Sequence, residues 1–296
     1  MKHGRWRFLL GALVPALVLH VVFVLSPYAQ AFWLSLTDWT GVAGEARFVG
    51  ADNYVRLGGD SLFLDAVRNN ALLLIVVPLV TIAIGLFLAS MLRTSSARIG
   101  QGYRIVFFFP QLLSLVVIAV LWGFVYNPNT GLLNSGLRAV GLGGLAHSWL
   151  AEPAFALVAV MAVLVWSSVG FYVVLFSAAI EGIPRELFEA ALLDGAGKWA
   201  TFSRVTLPLV RESVQVAFVY LGIAALDAFA VVQVMTVGPG GPDGATEVIG
   251  LSLYRTAFTY GKFGYASAMG VALFFATLTL AVLALRSGRR ERLELA

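Results

Sequence analysis

Glu189, Ala190 and Ala191, followed by Asp194-Gly195 and then by Leu207-Pro208, form the densest group of spaced, chemically distinct residues in the chain. A carboxylate beside two small residues and a glycine stop can present a charge on a surface that another protein approaches closely. Catalysis is a poor alternative for this group. The nearest string to a phosphate-binding loop, Gly195-Ala-Gly-Lys-Trp199, lacks the Gly-x4-Gly-Lys-Ser/Thr spacing and has tryptophan where a hydroxyl is needed. Neither a His-Glu-x-x-His zinc motif nor a Gly-x-Ser-x-Gly nucleophile turn occurs. The chain has no cysteine, which removes disulfides, thiolate zinc sites and cysteine nucleophiles. His3, His20 and His147 lie far apart on segments of different character and make no metal cluster.

A second set of polar residues sits inside apolar runs. Asp227 is the clearest, because a charge at the bilayer centre costs at least about 2.5 kcal/mol and so faces protein or water. It reads equally as an acceptor for substrate hydroxyls and as a polar link to a neighbouring helix or subunit. Gln233 lies six residues on, about 120° around an ideal helix, so the two need not share a face. Trp166, Ser167, Ser168 and Tyr172 are of types that bind sugars, the aromatics by stacking on the ring and the serines by matching its hydroxyls. Packing between helices uses the same residue types and is the more economical explanation for them.

The elements that carry these residues follow from composition. Of 296 residues, 59% are hydrophobic and only 12% charged, with a mean hydropathy of +0.87. A soluble domain carries about a quarter charged residues to face water. The net charge of +4 is small, which argues against a nucleic-acid partner. Each crossing needs roughly 20 apolar residues. Spans are expected near Phe8–Leu36, Val67–Leu92, Tyr103–Tyr126, Ala154–Ile180, Leu209–Val237 and Tyr265–Leu285. Pro15, Pro78 and Pro110 lie within them, which lipid-embedded helices tolerate when neighbours satisfy the freed carbonyls. The basic start, Met1 to Arg7, and Ala29-Gln-Ala31 resemble parts of a secretory signal, but the apolar run far exceeds the roughly 7–15 residues of a signal core. An uncleaved first helix is expected.

With the N-terminus inside, the inner loops and tails carry 14 Lys and Arg and the outer loops 6. The positive-inside rule then places both termini in the cytoplasm. The expectation is an all-α integral membrane protein with about six transmembrane helices.

The longest inner loop, Glu181 to Pro208, is too structured in its pattern to be a connector alone. Pro184 suits the first turn of a helix. Glu186 and Glu189 favour its early turns, and Leu187/Ala191 and Phe188/Leu192 are spaced for one apolar face. Asp194-Gly195 stops the helix, and Trp199, Phe202 and Val205 continue at helical spacing toward Pro208. A helix–turn–helix across the inner membrane face is expected. On periodicity alone it is also consistent with a simple interfacial anchor.

Residue identity goes further. Glu189-Ala-Ala191, three residues, Gly195, nine residues, Val205, one residue, Leu207-Pro208 resembles the EAA signature of binding-protein-dependent ABC importer permeases, with valine for the usual isoleucine. Phe48-Val-Gly-Ala-Asp-Asn-Tyr54, Phe107-Phe-Phe-Pro-Gln-Leu-Leu-Ser114, Trp122, Gly131-Leu-Leu-Asn134, Leu253-Tyr-Arg-Thr-Ala-Phe258 and Gly264-Tyr-Ala-Ser-Ala268 resemble the sugar-type branch, which includes maltose and glycerol-phosphate permeases. Thr236-Val-Gly-Pro-Gly-Gly-Pro242 is two residues longer than the loop relatives often carry there.

The resemblance implies a permease subunit of an ATP-driven importer for a carbohydrate, with a glycerol-phosphate or polyol as the alternative substrate class. It implies a second permease subunit, a dimer of ABC ATPase subunits holding ATP and Mg, and an extracytoplasmic solute-binding protein received by the outer loops around Asn127–Trp149 and Gly238–Gly264. This chain itself would bind no cofactor and no metal, and membrane lipid would surround it. Glu189, Ala190, Ala191, Asp194, Gly195, Leu207 and Pro208 would form the cytoplasmic coupling helix and its flank between the fourth and fifth spans. Residues 1–66 would hold the first span and outer loop, 67–286 the five-helix permease core with coupling loop 181–208, and 287–296 a cytoplasmic tail. An ion-coupled secondary transporter is the rival from another class. It should show repeated halves, broken helices or a chain of buried carboxylates, and the sequence offers one clear intramembrane carboxylate.

Overall fold

A computed structural model describes residues 11, 13–41, 44–93, 97–236, 238 and 240–289. The basic start of the chain, the first residues of the expected first span and most of the expected tail lie outside them. The described residues are helical almost throughout, and contain no β-strand beyond an isolated bridge between Thr37 and Phe48.

The helices run in chain order as α1 Leu13–Leu34, α2 Asp52–Gly59, α3 Ser61–Arg93, α4 Ala97–Phe108, α5 Leu115–Val125, α6 Leu132–Ala139 and α7 Pro153–Glu181. There follow α8 Arg185–Leu193, α9 Lys198–Leu209, α10 Arg211–Leu226, α11 Phe229–Met235, α12 Ile249–Phe258 and α13 Phe263–Arg289. Four of these, α1, α3, α7 and α13 through Leu283, are long and apolar enough to cross a membrane singly. The bent pairs α4–α5 and α9–α10 bring the number to six when each is one span.

The third and fifth spans are therefore not the straight helices that hydropathy implies. The third turns through 107° at the break between Leu112 and Leu115. Pro110 occupies a short 3-10 turn, and Leu113 and Ser114 are extended. Proline removes a donor and disfavours α-helix in the residue before it, so α4 gives way to the 3-10 turn at Phe109-Pro110, and the bend follows at Leu113 and Ser114. Pro78, by contrast, remains inside α3. The fifth span leaves α9 at a 71° bend and is interrupted again at Asp227 and Ala228 before α11. The outer segments expected as polar, turn-rich loops contain α6 and α12.

The chain divides into two compact units, residues 1–64 with 252–275, and 65–251 with 276–296. In the first unit, buried Asn53 donates its amide to the carbonyls of Ser35 and Thr37 at 2.9 and 2.8 Å, and the Tyr54 and Ser35 hydroxyls meet at 2.7 Å. Asp60 caps α3 by accepting from the N–H groups of Leu62 and Phe63 and accepts from the Tyr265 hydroxyl at 2.7 Å. Gly264 has no room for a Cβ, because the Thr37 carbonyl lies against its α-carbon.

The second unit is built around α7, of whose most apolar window 61% is buried. One cluster joins Leu73 and Val77 of α3 and Ile118 and Ala119 of α5 to α7 between Ala159 and Val173 and to Val231 and Val232 of α11. A second joins Ile82, Leu86 and Ala89 of α3 to Tyr172, Phe176 and Ile180 of α7 and Ala217 and Leu221 of α10. Gly170 of α7 touches the Phe107 carbonyl, so the backbones of α4 and α7 meet where the third span bends.

Polar anchors hold the interrupted segments. Asn70 donates to the Leu226 carbonyl at 3.3 Å, the last of α10, and accepts from the Ile249 N–H at 2.8 Å, the first of α12. Asn69 donates to the carbonyls of Ala245 and Glu247 at 3.2 and 2.9 Å. Asn134 donates to the Pro128 and His147 carbonyls and accepts from the Trp149 indole at 2.8 Å.

Two substitutions test these contacts. Gly170→Leu should destabilise the protein by about 1–3 kcal/mol through overpacking, whereas Gly123→Ala, with open space around its α-carbon, should change it by less than about 0.5 kcal/mol. Asn70→Leu leaves the Leu226 carbonyl and the Ile249 N–H without their partner and should cost about 1–3 kcal/mol. Thermal unfolding in one detergent, referred to the parent protein, measures all three.

Candidate functional site

The segment from Glu181 to Pro208 folds as two short helices with a tight turn between them. Pro184 is extended at ψ 134° and caps α8, which begins at Arg185, one residue later than its sequence alone places it. Glu186 stands in the first turn, where a negative charge complements the helix dipole. At the other end Gly195 takes φ +71°. Its N–H donates to the Leu192 carbonyl at 3.0 Å and the Ala196 N–H to that of Ala191 at 2.9 Å, the paired bonds of a Schellman stop. Nothing in the chain lies within 4 Å of a Cβ built on Gly195. The glycine is thus required by its backbone angle and leaves open space beside it. After α9, which contains a π turn over Phe202–Thr206 ahead of Pro208, the chain bends into α10.

The two faces of α8 differ sharply. Phe188 packs against the cluster around Ile82, Leu86 and Ile180, as does Phe202 of α9. The Arg93 guanidinium, from the last residue of α3, sits 3.4 Å from the Phe188 ring centroid, a stacking worth about 0.5–1 kcal/mol where solvent reaches it. Glu189, Ala190, Asp194, Gly195, Leu207 and Pro208 are exposed, and Ala191 is half-buried. Phe188 and Leu192, an i,i+4 pair in the sequence, do not share the buried face: Leu192 is 74% exposed, Leu193 88% and Trp199 77%. Large apolar side chains presented beside a charge and a glycine make a surface suited to another protein.

The six intramembrane candidates are not gathered in one place, and Ser168 among them is half-buried on α7. Ser167 is buried and donates to the Leu164 carbonyl of its own helix at 3.0 Å. Tyr172 is buried in the inner cluster beside Phe176. Trp166 is 42% exposed, packs edge-on to Trp122 at 5.4 Å, and lines a groove of about 1,010 Å³ along α3 and α7. Asp227 is exposed at the break between α10 and α11, and Gln233 is exposed on α11. The Asn69–Asn70 pair that frames this break escapes a search for charges, yet two adjacent amides inside an apolar span were a signal that backbone groups nearby needed partners. Among the described residues no group of three or more His, Asp or Glu is placed to hold a metal ion.

Comparison with known proteins places this architecture. Residues 81–292, more than two thirds of the chain, match the family described as "Binding-protein-dependent transport system inner membrane component". The chain is 46% identical over 292 residues to the diacetylchitobiose uptake system permease protein NgcF of Streptomyces coelicolor, covering 96% of this chain and 82% of that protein. It is 33% identical to the multiple sugar-binding transport system permease protein MsmF of Streptococcus mutans, covering 98% and 96%. Its fold superposes on a chain from the crystal structure of a bacterial ABC transporter that imports the acidic polysaccharide alginate, with a TM-score of 0.84, 24% identity and coverage of 98% and 97%. With six potential spans, a structured loop between the fourth and fifth, and these relatives, the chain belongs to the inner membrane components of binding-protein-dependent transport systems, the permease subunits of ABC importers.

Proposed function

We propose that this permease forms, with a second permease subunit, the translocation pathway for a neutral oligosaccharide, and that α8 is the coupling helix that docks on a separate ATPase. The observation that carries the coupling assignment is the exposed face of α8–α9. Glu189, Gly195, Leu192, Leu193 and Trp199 are turned away from the chain's own core, while Phe188 and Phe202 on the other side hold the pair of helices to it. Small Ala190 and the open space at Gly195 allow a groove wall to approach, and Glu189 offers a charge to a basic partner surface. ATP and Mg belong to the ATPase dimer in this reading, and closure of that dimer would push on α8 and switch the pathway between inward-open and outward-open. Both termini are cytoplasmic, residues 67–286 constitute the permease core, and the outer segments carrying α6 and α12 receive the solute-binding protein.

The substrate class follows from the relatives. Their names associate them with diacetylchitobiose, multiple sugars, lactose and alpha-glucosides. The relative at 46% identity makes an N-acetylated amino-sugar disaccharide the first candidate. Exposed Trp166, Asp227 and Gln233 are the pathway residues suited to it, by ring stacking and by hydrogen bonds to hydroxyl or acetamido groups. Ser167 and Tyr172 support them from within the packed helices.

Two outcomes are expected. Gly195→Asp and Glu189→Arg should leave the protein inserted but reduce uptake at least tenfold for the same ATP hydrolysed. The first forces a side chain into a left-handed conformation costing about 1–2 kcal/mol and a charge into the open space, and the second reverses the charge. Normal uptake by both variants would remove the coupling role of α8. In cells dependent on this system, uptake of labelled diacetylchitobiose should be competed by unlabelled chito-oligosaccharides and not by glycerol 3-phosphate or polyols. Competition by the latter compounds alone would transfer the chain to the polyol and glycerol-phosphate class.

A further inference from the structure

The coupling helix is joined by the backbone to α7 and α10, so a push on it reaches those helices directly. The second span, α3, is neither neighbour in sequence. One stripe of α3 nevertheless faces the coupling region: Ile82, Leu86, Ala89 and Arg93, spaced four, three and four residues apart, which is one side of a helix. The first three are 7%, 5% and 1% exposed within the inner cluster, against which Phe188 packs. Arg93 completes the stripe by laying its guanidinium over the Phe188 ring at 3.4 Å. Phe188 is thus held by the cluster and by the cation together. Gly85, on the same stretch of α3, lets Phe176 and Tyr172 of α7 approach to 3.2–3.3 Å of where a Cβ would stand. Around the other side of α3, Val80, Ile84 and Phe87 are 39%, 37% and 61% exposed.

We propose that Arg93 is a positioning residue that locks α3 to the coupling helix, so that displacement of α8 carries the inner end of the second span with it. The proposal rests on the assignment of α8 as the ATPase-docking helix. Stacking suits this task. A planar guanidinium on a ring face adds a directional contact to the apolar ones that already hold the ring, and the cation at the C-terminal end of α3 is favoured by that helix's dipole. Phe188 immediately precedes Glu189, so a load applied at the exposed face passes to Arg93 within one helical turn.

This chain has no cysteine of its own, so two labels can be placed on it after cysteines in its partner subunits are replaced. Phe87→Cys on α3 and Glu186→Cys on α8, both exposed and outside the coupling signature, would carry spin labels in the complete complex purified with its ATPase. The label separation would be measured without nucleotide and after trapping with ADP and vanadate. The parent and the Phe188→Tyr variant, which keeps the aromatic face, should show the same separation in both states. Arg93→Ala and Phe188→Leu should show a change of about 2 Å or more, the scale on which helices slip past one another. The double variant should add nothing to either single change. Separations that stay constant in Arg93→Ala, or that already change in the parent, would overturn the lock. Absence of any ATPase from the parent preparation would instead overturn the coupling assignment, and the lock with it.

Discussion

Inside a membrane a backbone carbonyl or N–H that leaves its helix has no water to turn to, and this constraint organises the structure. Each interruption must bring a partner of its own. Four asparagines supply much of that partnership. Asn53 closes the chain's exit from the first span by holding the Ser35 and Thr37 carbonyls. Asn70 holds both the end of α10 and the start of α12, and Asn69 holds the turn between them. Asn134 binds the segment between the third and fourth spans. The primary amide suits the work, since it donates and accepts from one planar group without bringing a charge.

With the breaks secured, two kinds of surface are left open. The fifth span exposes Asp227 and Gln233 at and just after its interruption. The inner loop exposes Leu192, Leu193 and Trp199 on an otherwise well-capped pair of helices. A membrane subunit that works in an assembly has reason to leave such faces uncovered within its own chain. Burial within this chain therefore separates residues that hold it together, such as Phe176, Val173 and Phe188, from those available to partners or solute.

The motifs that resemble the sugar-type permeases divide along the same line. Asn53 in one motif, Asn134 in another and Gly264 in a third each fix a backbone contact, Tyr54 bonds the Ser35 hydroxyl, and Pro110 sits in the 3-10 turn ahead of the bend. Their spacing identifies the family because it encodes where the chain bends. Glu189, Ala190 and Gly195 are of a different kind, with exposed side chains and a glycine whose only internal requirement is a left-handed φ of +71°. Internal packing does not explain them, which is what a docking role would produce.

Apolar run length and the Glu189–Pro208 pattern were enough to give a helical membrane protein of about six spans and to place it in its family. These are local quantities: hydropathy needs only composition over some twenty residues, and a capped helix needs only its own turn. The stop at Asp194-Gly195 was legible for that reason. The bend at Phe109–Ser114 was half legible, because Pro110 marks it but Pro78 marks nothing. Three residues before Pro110 the Phe107 carbonyl lies against Gly170, more than sixty residues away, a contact the sequence around either proline does not announce. The interruption at Asp227 and the turning of Phe188 inward and Leu192 outward likewise depend on partners distant in sequence, Asn70 and Arg93. An amide in a span announces a need for hydrogen bonds but not with whom, and periodicity names a face without saying what covers it. Only the tertiary fold, by bringing those partners within 3–4 Å, settled which helices break and which side chains are left for others.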